Sequence, residues 1–214
     1  MTTPSQPRRL LTWTQRPRST DWLATDPHAP NNPLAAILPD LSPETFLRTR
    51  SIASRLIARS GAGTTSIEPG DALPAWLPAA WDQFELALAT LPADAPAHLL
   101  IAPHHAHTIS DIPSALRYLE RWSSKAGPIR FGLALDPAAI LAPSMLAAAP
   151  DHLGRIFAAL GSHPATACLC LTGDLLDHVT ADHLRALIDT HVPPTTPIIL
   201  EPGAAGDALR QLLT

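Results

Sequence analysis

After Ala97 the chain alternates between short apolar runs and longer stretches in which apolar residues recur at helical spacing. The apolar runs lie at residues 98–102, 130–135, 166–171 and 197–200. The helical stretches that follow them lie at residues 112–125, 138–148 with 151–160, 181–188 and 204–213. Runs that are almost continuously apolar are typical of parallel strands covered on both faces. The pattern therefore predicts four consecutive strand–helix units that share one parallel sheet.

Weaker signals precede this alternation. A first helix is expected to begin at Ser42, which can cap it, with Pro43 in the first turn. Its apolar residues at near-helical spacing are Phe46, Ile52, Leu56 and Ile57. The helix is expected to end at Gly61 or Gly63, ahead of a weak strand at residues 64–67.

A second helix is expected over residues 74–91, where large apolar side chains form a stripe. The stripe consists of Trp76, Leu77, Trp81, Phe84 and Leu88. With the two weaker units the chain has about six strands, whereas a complete TIM barrel usually needs ~250 residues. The predicted fold is α/β, a parallel-stranded (β/α) barrel-like domain over residues 41–214, as a short or incomplete TIM barrel of about six strands. An open flavodoxin-like sheet is the alternative.

Residues 1–40 are predicted to form an irregular N-terminal arm. Prolines interrupt this segment repeatedly, and a short run at residues 10–14 has β propensity. Four arginines form a basic cluster in it, namely Arg8, Arg9, Arg16 and Arg18. A nucleic-acid site would interleave such charges with aromatic residues, and no such interleaving supports one here. The arm is therefore expected to be solvated.

Composition limits the classes of function. The 214 residues are 46% hydrophobic and 16% charged, which excludes wholesale disorder. No apolar run is long enough to span a membrane, and neither region of a secretory signal heads the chain, so we expect a cytoplasmic protein. Two cysteines exclude a disulfide framework. Since the net charge is −4, neither nucleic acid nor a membrane is an expected partner.

Candidate functional residues follow the ends of the predicted strands, which is the edge at which parallel α/β folds place their sites. The segments concerned are 103–107, 136–137, 172–174 and 201–203. Their residues able to bind a metal or transfer a proton are His104, His105, His107, Asp136, Asp174 and Glu201. Acidic residues or histidines after four consecutive strands favour a shared site over scattered surface residues.

Two stretches carry a family resemblance. Residues 131–141 have the sequence FGLALDPAAIL, and residues 198–203 have the sequence IILEPG. The first resembles a stretch of the form G-L-x-L-D-P-x-H in the xylose isomerase-like family of sugar phosphate isomerases and epimerases. The second resembles that family's last strand, which carries a glutamate. The resemblance covers roughly residues 75–214, and it implies a (β/α) barrel that binds a divalent metal through Glu, Asp, His and Glu at strand ends.

The family's metal ligands are only partly present in this sequence. Asp136 matches the family's aspartate and Glu201 its last glutamate. Ala102 and Ala139 stand where the resemblance calls for the first glutamate and a histidine, and Cys170 aligns with a further histidine. Two carboxylates alone hold a divalent cation poorly, since hard cations take about six oxygen ligands. The site that the resemblance implies is therefore either lost or rebuilt.

A rebuilt site would take its metal ligands from several strand ends. They would be Asp136, Glu201, His104, His107 and Asp174, around Mn, Zn or Mg. Its catalytic residues would be Glu201, Asp136 and His105, which transfer a proton on a substrate polarised by the metal. Two simpler interpretations of the histidines remain. They are solvated or cap the next helix near Asp111, or they act as acids and bases without a metal.

Two hypotheses on function follow. In the first, a sugar phosphate isomerase/epimerase-like protein performs a metal-assisted isomerisation of a sugar or hydroxy-carbonyl compound, a small carbohydrate-type substrate. In the second, a catalytically inactive descendant of the barrel, without a cofactor, binds a carbohydrate or a protein. Cys168 and Cys170 are expected to be small buried side chains on one face of a strand rather than zinc ligands.

Overall fold

The computed structural model describes residues 8–16, 22–29, 33–61, 78–92, 94 and 96–214. In these residues eight strands close into one barrel, in their order along the chain. The strands are β1 (Leu10–Gln15), β2 (Trp22–Thr25), β3 (Ala35–Ile37), β4 (Arg55–Arg59), β5 (Ala97–Ala102), β6 (Ile129–Leu135), β7 (Thr166–Leu171) and β8 (Ile198–Leu200). The α-helices are α1 (Pro43–Arg50), α2 (Pro78–Ala89), α3 (Ile112–Trp122), α4 (Pro137–Ile140), α5 (Ala149–Ile156), α6 (Ala181–His191) and α7 (Ala204–Leu213).

The four strand–helix units predicted after Ala97 are confirmed. The strands β5, β6, β7 and β8 are neighbours in the barrel, and each pairs in parallel with the next. Their ends therefore meet at one edge of the barrel, as predicted. We call this edge the carboxyl-terminal mouth and the opposite edge the amino-terminal mouth.

The prediction of a short or incomplete TIM barrel of about six strands is wrong, because the barrel is closed and has eight strands of mixed direction. The strands β1, β2 and β3 pair antiparallel, whereas the other neighbours, including β8 and β1, pair in parallel. Antiparallel neighbours need only a short turn, while parallel neighbours need a crossover of about a dozen residues or more. The two antiparallel connections therefore let a short chain close the barrel. All three strands lie within residues 1–40, where the sequence predicts an irregular arm.

The helix predicted from Ser42 is shorter than expected. Ser42 caps α1 as predicted, and its hydroxyl accepts a hydrogen bond from the amide of Thr45 at 3.3 Å. The helix ends at Arg50, however, and residues 55–59 form β4. Hydrogen-bonded pairing with β3 on one side and β5 on the other stabilises this run as a strand, although its apolar residues have near-helical spacing. The strand predicted at residues 64–67 lies outside the described residues.

The strands β4 to β8 present one face to the main hydrophobic core, which they share with the helices, and the other to the inside of the barrel. Leu99 and Ile101 of β5 face outward and belong to the main hydrophobic core, together with Tyr118 of α3. On α2 the core members are Trp81, Phe84 and Leu88, as predicted. The first residues of that predicted stripe, Trp76 and Leu77, lie outside the described residues. Within the described part of the chain, no helix combines the length and apolar character needed to cross a membrane.

The inward-facing side chains form a second, smaller cluster of mostly small residues. It consists of Leu11, Ala24, Ala35, Ile57, Leu100, Ala102, Ala134, Cys168, Cys170 and Ile199. Because side chains alternate along a strand, the residues two positions away from these also face inward. On β4, Arg55 and Arg59 lie two positions before and after Ile57. One arginine of this strand therefore stands at each mouth of the barrel.

Arg8 belongs to the folded domain rather than to a solvated arm. Its guanidinium donates hydrogen bonds to the carbonyl oxygens of Val192 at 3.0 Å and Ile188 at 3.2 Å, at the end of α6. It also pairs with the carboxylate of Asp189 at 3.3 Å. The last carbonyls of a helix lack partners in the next turn, so a cation there satisfies them and interacts favourably with the helix dipole.

We expect Arg8→Ala to lower the free energy of unfolding by about 1–2 kcal/mol, because it removes these hydrogen bonds from the end of α6. Thermal unfolding should show a melting temperature about 2–8 °C lower. Arg9→Ala is the control. The Arg9 side chain is half-exposed and forms one ion pair with Asp26 at 3.6 Å, so its loss should cost less than about 1 kcal/mol. Equal effects of the two substitutions would contradict a capping role for Arg8.

Candidate functional site

A cavity opens at the carboxyl-terminal mouth of the barrel. Its volume is about 110 Å³. Trp13 of β1 lines one part of it, and apolar side chains of the β3 segment, such as Ile37 and Leu38, line another. Two charged side chains also line it, Arg59 at the end of β4 and Asp136 directly after β6. The cavity therefore joins an aromatic ring, apolar walls, a cation and an acid.

Arg59 and Asp136 face this cavity without contacting each other. No salt bridge links them, and neither forms a salt bridge with any other residue that the structure describes. The charge of Arg59 nevertheless acts on the carboxyl group of Asp136. A purely structural pair would be expected to close into a direct ion pair. Here no ion pair occupies the hydrogen-bonding atoms of the two side chains, so these atoms can bind a ligand in the cavity.

Asp136 is held in place by the first turn that follows β6. Its Oδ1 atom accepts a hydrogen bond from the amide of Ala139 at 3.2 Å, which caps α4. Burial raises the pKa of the carboxyl group, and the nearby charge of Asp174 acts in the same direction. The amide of Ala139 and the charge of Arg59 oppose this rise. Asp136 is therefore a fixed carboxyl group with an increased tendency to hold a proton.

The three histidines after β5 lie against one another. The ring of His104 stacks on that of His105 and tilts against that of His107, with centroids 4.5 and 4.7 Å apart. His104 is 8% exposed and His107 is 1% exposed, so the interpretation of these two as solvated side chains is wrong. Burial, followed by the charge of Arg59, lowers the pKa of His104 to about 3 and that of His107 to about 4. Both rings are neutral at pH 7.

None of the three histidines is among the residues that line the mouth cavity in the described part of the chain. The backbone amide of His105 donates to the carbonyl oxygen of Ala139 at 2.8 Å, and its Nδ1 atom lies 3.3 Å from the same oxygen. These contacts attach the loop after β5 to α4. The Nδ1 atom of His104 accepts a hydrogen bond from the amide of Ala106 at 3.2 Å, whereas both ring nitrogens of His107 are buried without a partner among the described residues.

Glu201 lies at the predicted edge, but its carboxylate is used within the fold. The Oε1 atom accepts a hydrogen bond from the amide of Gly173, in the turn after β7. The backbone carbonyl of Glu201 also packs closely against Gly206 in α7. The residue thus joins the turn after β7 to the first turn of α7. Asp174, beside that turn, is exposed.

The described residues do not fit the predicted metal site. In the described ranges, no three His, Cys, Asp or Glu side chains are grouped as metal ligands would be. One hydrogen bond ties the carboxylate of Glu201 to the turn after β7, and another ties that of Asp136 to α4. The guanidinium of Arg59 also acts on Asp136, His104 and His107, where a cation would have to sit. The positive charge that acts on these three side chains is therefore that of Arg59.

Cys168 and Cys170 are free, buried and directed into the barrel, as predicted for small buried side chains. The hydrogen bond with Cys168, followed by burial, raises the pKa of the Cys170 thiol well above its usual value. Cys170 is therefore a neutral part of the cavity wall rather than a reactive thiolate.

The sequence prediction missed Arg59 and Trp13 as site residues. Arg59 lies in a run whose apolar spacing predicts a helix, so no strand end is expected there. Trp13 belongs to the short run with β propensity at residues 10–14, but nothing in the sequence indicates that this run joins β8 and brings the ring to the mouth. Comparison with models of known protein families, with curated proteins and with solved structures gave no match.

Proposed function

We propose that the protein binds a small carbohydrate-type molecule at the carboxyl-terminal mouth, without a metal ion. The observation that carries the proposal is that Arg59 and Asp136 line one cavity and form no salt bridge with each other. An acid and a cation that share a cavity in this way can both bind a third group. Binding is the function that the geometry supports best.

The lining matches the two kinds of surface that a sugar presents. Arg59 is a multiple hydrogen-bond donor and Asp136 an acceptor, so together they suit hydroxyl and carbonyl oxygens. Trp13 offers an aromatic face for the apolar C–H side of the same molecule. The volume of about 110 Å³ is well above the ~10–15 Å³ that a single water molecule needs, so the cavity has room for a small ligand.

A second candidate function is isomerisation or epimerisation of that ligand, which is the activity that the family resemblance implies. The raised pKa of Asp136 favours it, because such a carboxyl group exchanges protons nearer neutral pH. Asp136 would take the proton from the carbon beside the carbonyl group, and the electron pair would move onto the carbonyl oxygen, next to Arg59. Return of a proton from solvent to the opposite face of the same carbon epimerises the sugar, and Asp136 then gives the proton it holds to solvent. Return of the proton from Asp136 to the neighbouring carbon, while the hydroxyl proton moves to the former carbonyl oxygen, isomerises the sugar.

A cytoplasmic location is part of the proposal. Both cysteines are free and buried, which is typical of proteins in a reducing compartment.

Binding is tested by titrating the protein with trioses, tetroses, pentoses, hexoses and small hydroxy acids, using amide NMR shifts and calorimetry. We expect at least one of these compounds to bind and to shift amides around the carboxyl-terminal mouth. Arg59→Gln and Asp136→Asn should each weaken its binding at least about tenfold, since each leaves a polar group of the ligand unpaired. Arg55→Gln is the matched control, because Arg55 faces inward from the same strand at the other mouth. The proposal would be refuted if none of these compounds bound. It would also be refuted if all three substitutions weakened binding equally.

Catalysis is tested separately by incubating each bound sugar in deuterium oxide and following exchange of the C–H hydrogen beside its carbonyl group by NMR. An active protein exchanges this hydrogen, and Asp136→Asn abolishes the exchange. Dialysis against a chelator should leave the exchange rate unchanged, since the residues at the mouth do not fit a metal. Binding without exchange would refute the second candidate and leave the binding proposal standing.

A further inference from the structure

The amino-terminal mouth carries a row of basic side chains. Arg55, His98 and Arg130 are direct partners in the register of three adjacent strands, β4, β5 and β6. Each lies two positions from a residue that faces into the barrel, so all three are directed to the inside of this mouth. Neighbouring strands are about 4.8 Å apart, which places the two arginines roughly 10 Å apart at their backbones. Arginine side chains are long enough to meet across that distance.

A cavity of about 510 Å³ lies at this mouth, between the turn before β6 and the start of β7. Four cationic or potentially cationic side chains line it, namely His98, Lys125, Arg130 and His163. Its lining, as far as the structure describes it, includes no aspartate or glutamate. Arg55, Lys125 and Arg130 form no salt bridge with any described residue. In a chain with a net charge of −4, this is a local excess of positive charge.

Several of these groups are held in position by the fold. The ammonium group of Lys125 lies over the ring of Trp122, 3.4 Å from its centroid. The Nδ1 atom of His163 accepts a hydrogen bond from the amide of Ala165 at 3.2 Å, so the Nε2 atom of the neutral ring carries the proton and acts as a donor. A Cβ atom on Gly132 would lie 3.0 Å from the Nε2 atom of His98, so the absence of a side chain there makes room for the His98 ring.

The two arginines disfavour a further positive charge at this mouth. Burial, and then the charges of Arg55 and Arg130, lower the pKa of His98 to about 4. His98 is therefore neutral at pH 7, and the positive charge of this mouth comes from Arg55, Arg130 and Lys125. An anion bound beside these side chains would interact favourably with their charges.

We propose that the amino-terminal mouth binds a small molecule that carries phosphate groups. The arginines supply planar, bidentate donors that match phosphate oxygens, and Lys125 and the two histidines supply further donors. The size of the cavity and the number of cations favour a ligand with more than one negative charge. The site lies at the opposite end of the barrel from Arg59 and Asp136, so this proposal is independent of the proposed sugar site.

The test uses pyrophosphate as the probe, with citrate and sodium chloride at equal ionic strength for comparison. Calorimetry and phosphorus NMR measure binding to the full chain, and thermal unfolding measures stabilisation. We expect pyrophosphate to bind and to raise the melting temperature, whereas chloride at equal ionic strength does not. Arg55→Gln and Arg130→Gln should each weaken pyrophosphate binding at least about tenfold. Both variants should fold, because neither arginine forms a salt bridge with a described residue and each lies near the start of its strand.

Two further variants distinguish binding at this mouth from binding elsewhere on the protein. Arg155→Gln removes an exposed arginine of α5 and should leave pyrophosphate binding unchanged. Arg59→Gln should also leave it unchanged, which separates this site from the carboxyl-terminal mouth. Binding that Arg155→Gln or Arg59→Gln weakens as much as Arg130→Gln does would overturn the proposal. It would equally be overturned by a thermal shift no larger than that of chloride. Tighter binding of citrate than of pyrophosphate would refute phosphate as the recognised group.

Discussion

Replacing Gly206 with alanine should destabilise this protein strongly, although alanine normally stabilises a helix. Gly206 lies in the first turns of α7, and a Cβ atom built on it would overlap the backbone carbonyl oxygen of Glu201. That oxygen belongs to the backbone directly after β8, so it cannot move without displacing the strand or the helix. We expect the free energy of unfolding to fall by about 2–4 kcal/mol and the melting temperature by about 5–15 °C.

Gly154→Ala is the matched control for this prediction. Gly154 also lies within a helix, α5, but a Cβ atom on it would have no neighbour within 4 Å. The usual helix preference should therefore apply, and the substitution should stabilise the protein by about 0.5–1 kcal/mol. Chemical denaturation of the two variants measures both effects. A stabilising effect of Gly206→Ala would show that α7 does not pack closely on Glu201.

Acid should begin to destabilise the protein well before its exposed carboxylates are protonated. The pKa values of His104 and His107 are lowered to about 3 and about 4, because both rings are buried near Arg59. In the unfolded chain these histidines bind protons below about pH 6.5. Between pH 6.5 and the folded pKa values, the unfolded state therefore binds more protons, and stability falls as the pH falls. At pH 5 each of the two should cost about 1–2 kcal/mol.

Asp136 acts in the opposite direction. Because burial raises its pKa in the folded state, its contribution to stability is present at low pH and is lost as the pH rises through that value. Asp136→Asn should therefore stabilise the protein at pH 7 and have little effect at pH 3. In its charged form, which a ligand or a proton transfer would use, Asp136 therefore destabilises the fold. Such a residue is typical of a binding or catalytic site.

The acid sensitivity is measured as the free energy of unfolding between pH 7.5 and pH 4.5. The double variant His104→Asn/His107→Leu should lose less stability over this interval than the unmodified chain. His183→Asn, which changes an exposed histidine of α6, should leave the slope unchanged. An identical slope in the double variant would show that these two buried rings do not cause the acid sensitivity.

The residues at the carboxyl-terminal mouth show where sequence reasoning succeeded and where it failed. Asp136 and Glu201 follow apolar strands, so their placement at one edge of the sheet could be predicted. The use of each side chain could not be predicted, because it depends on groups distant in the chain. The carboxylate of Glu201 meets the amide of Gly173, whereas Asp136 shares a cavity with Arg59. The proposed site therefore pairs a cation with an acid, a combination that residue types at the strand ends alone did not indicate.

The sequence by itself determined the second half of the fold. Each of the strands β5 to β8 is buried on both faces and is followed by a helix. An apolar run of strand length is therefore enough to predict each of these strands from the local sequence. The first half was decided by tertiary structure. The strands β2 and β3 have four and three residues, too few for an alternating pattern, and β4 has an apolar spacing that also fits a helix. Closure of the barrel makes all three segments strands, because the backbone groups along each strand edge need hydrogen-bonding partners. For β8, the strand β1 provides those partners.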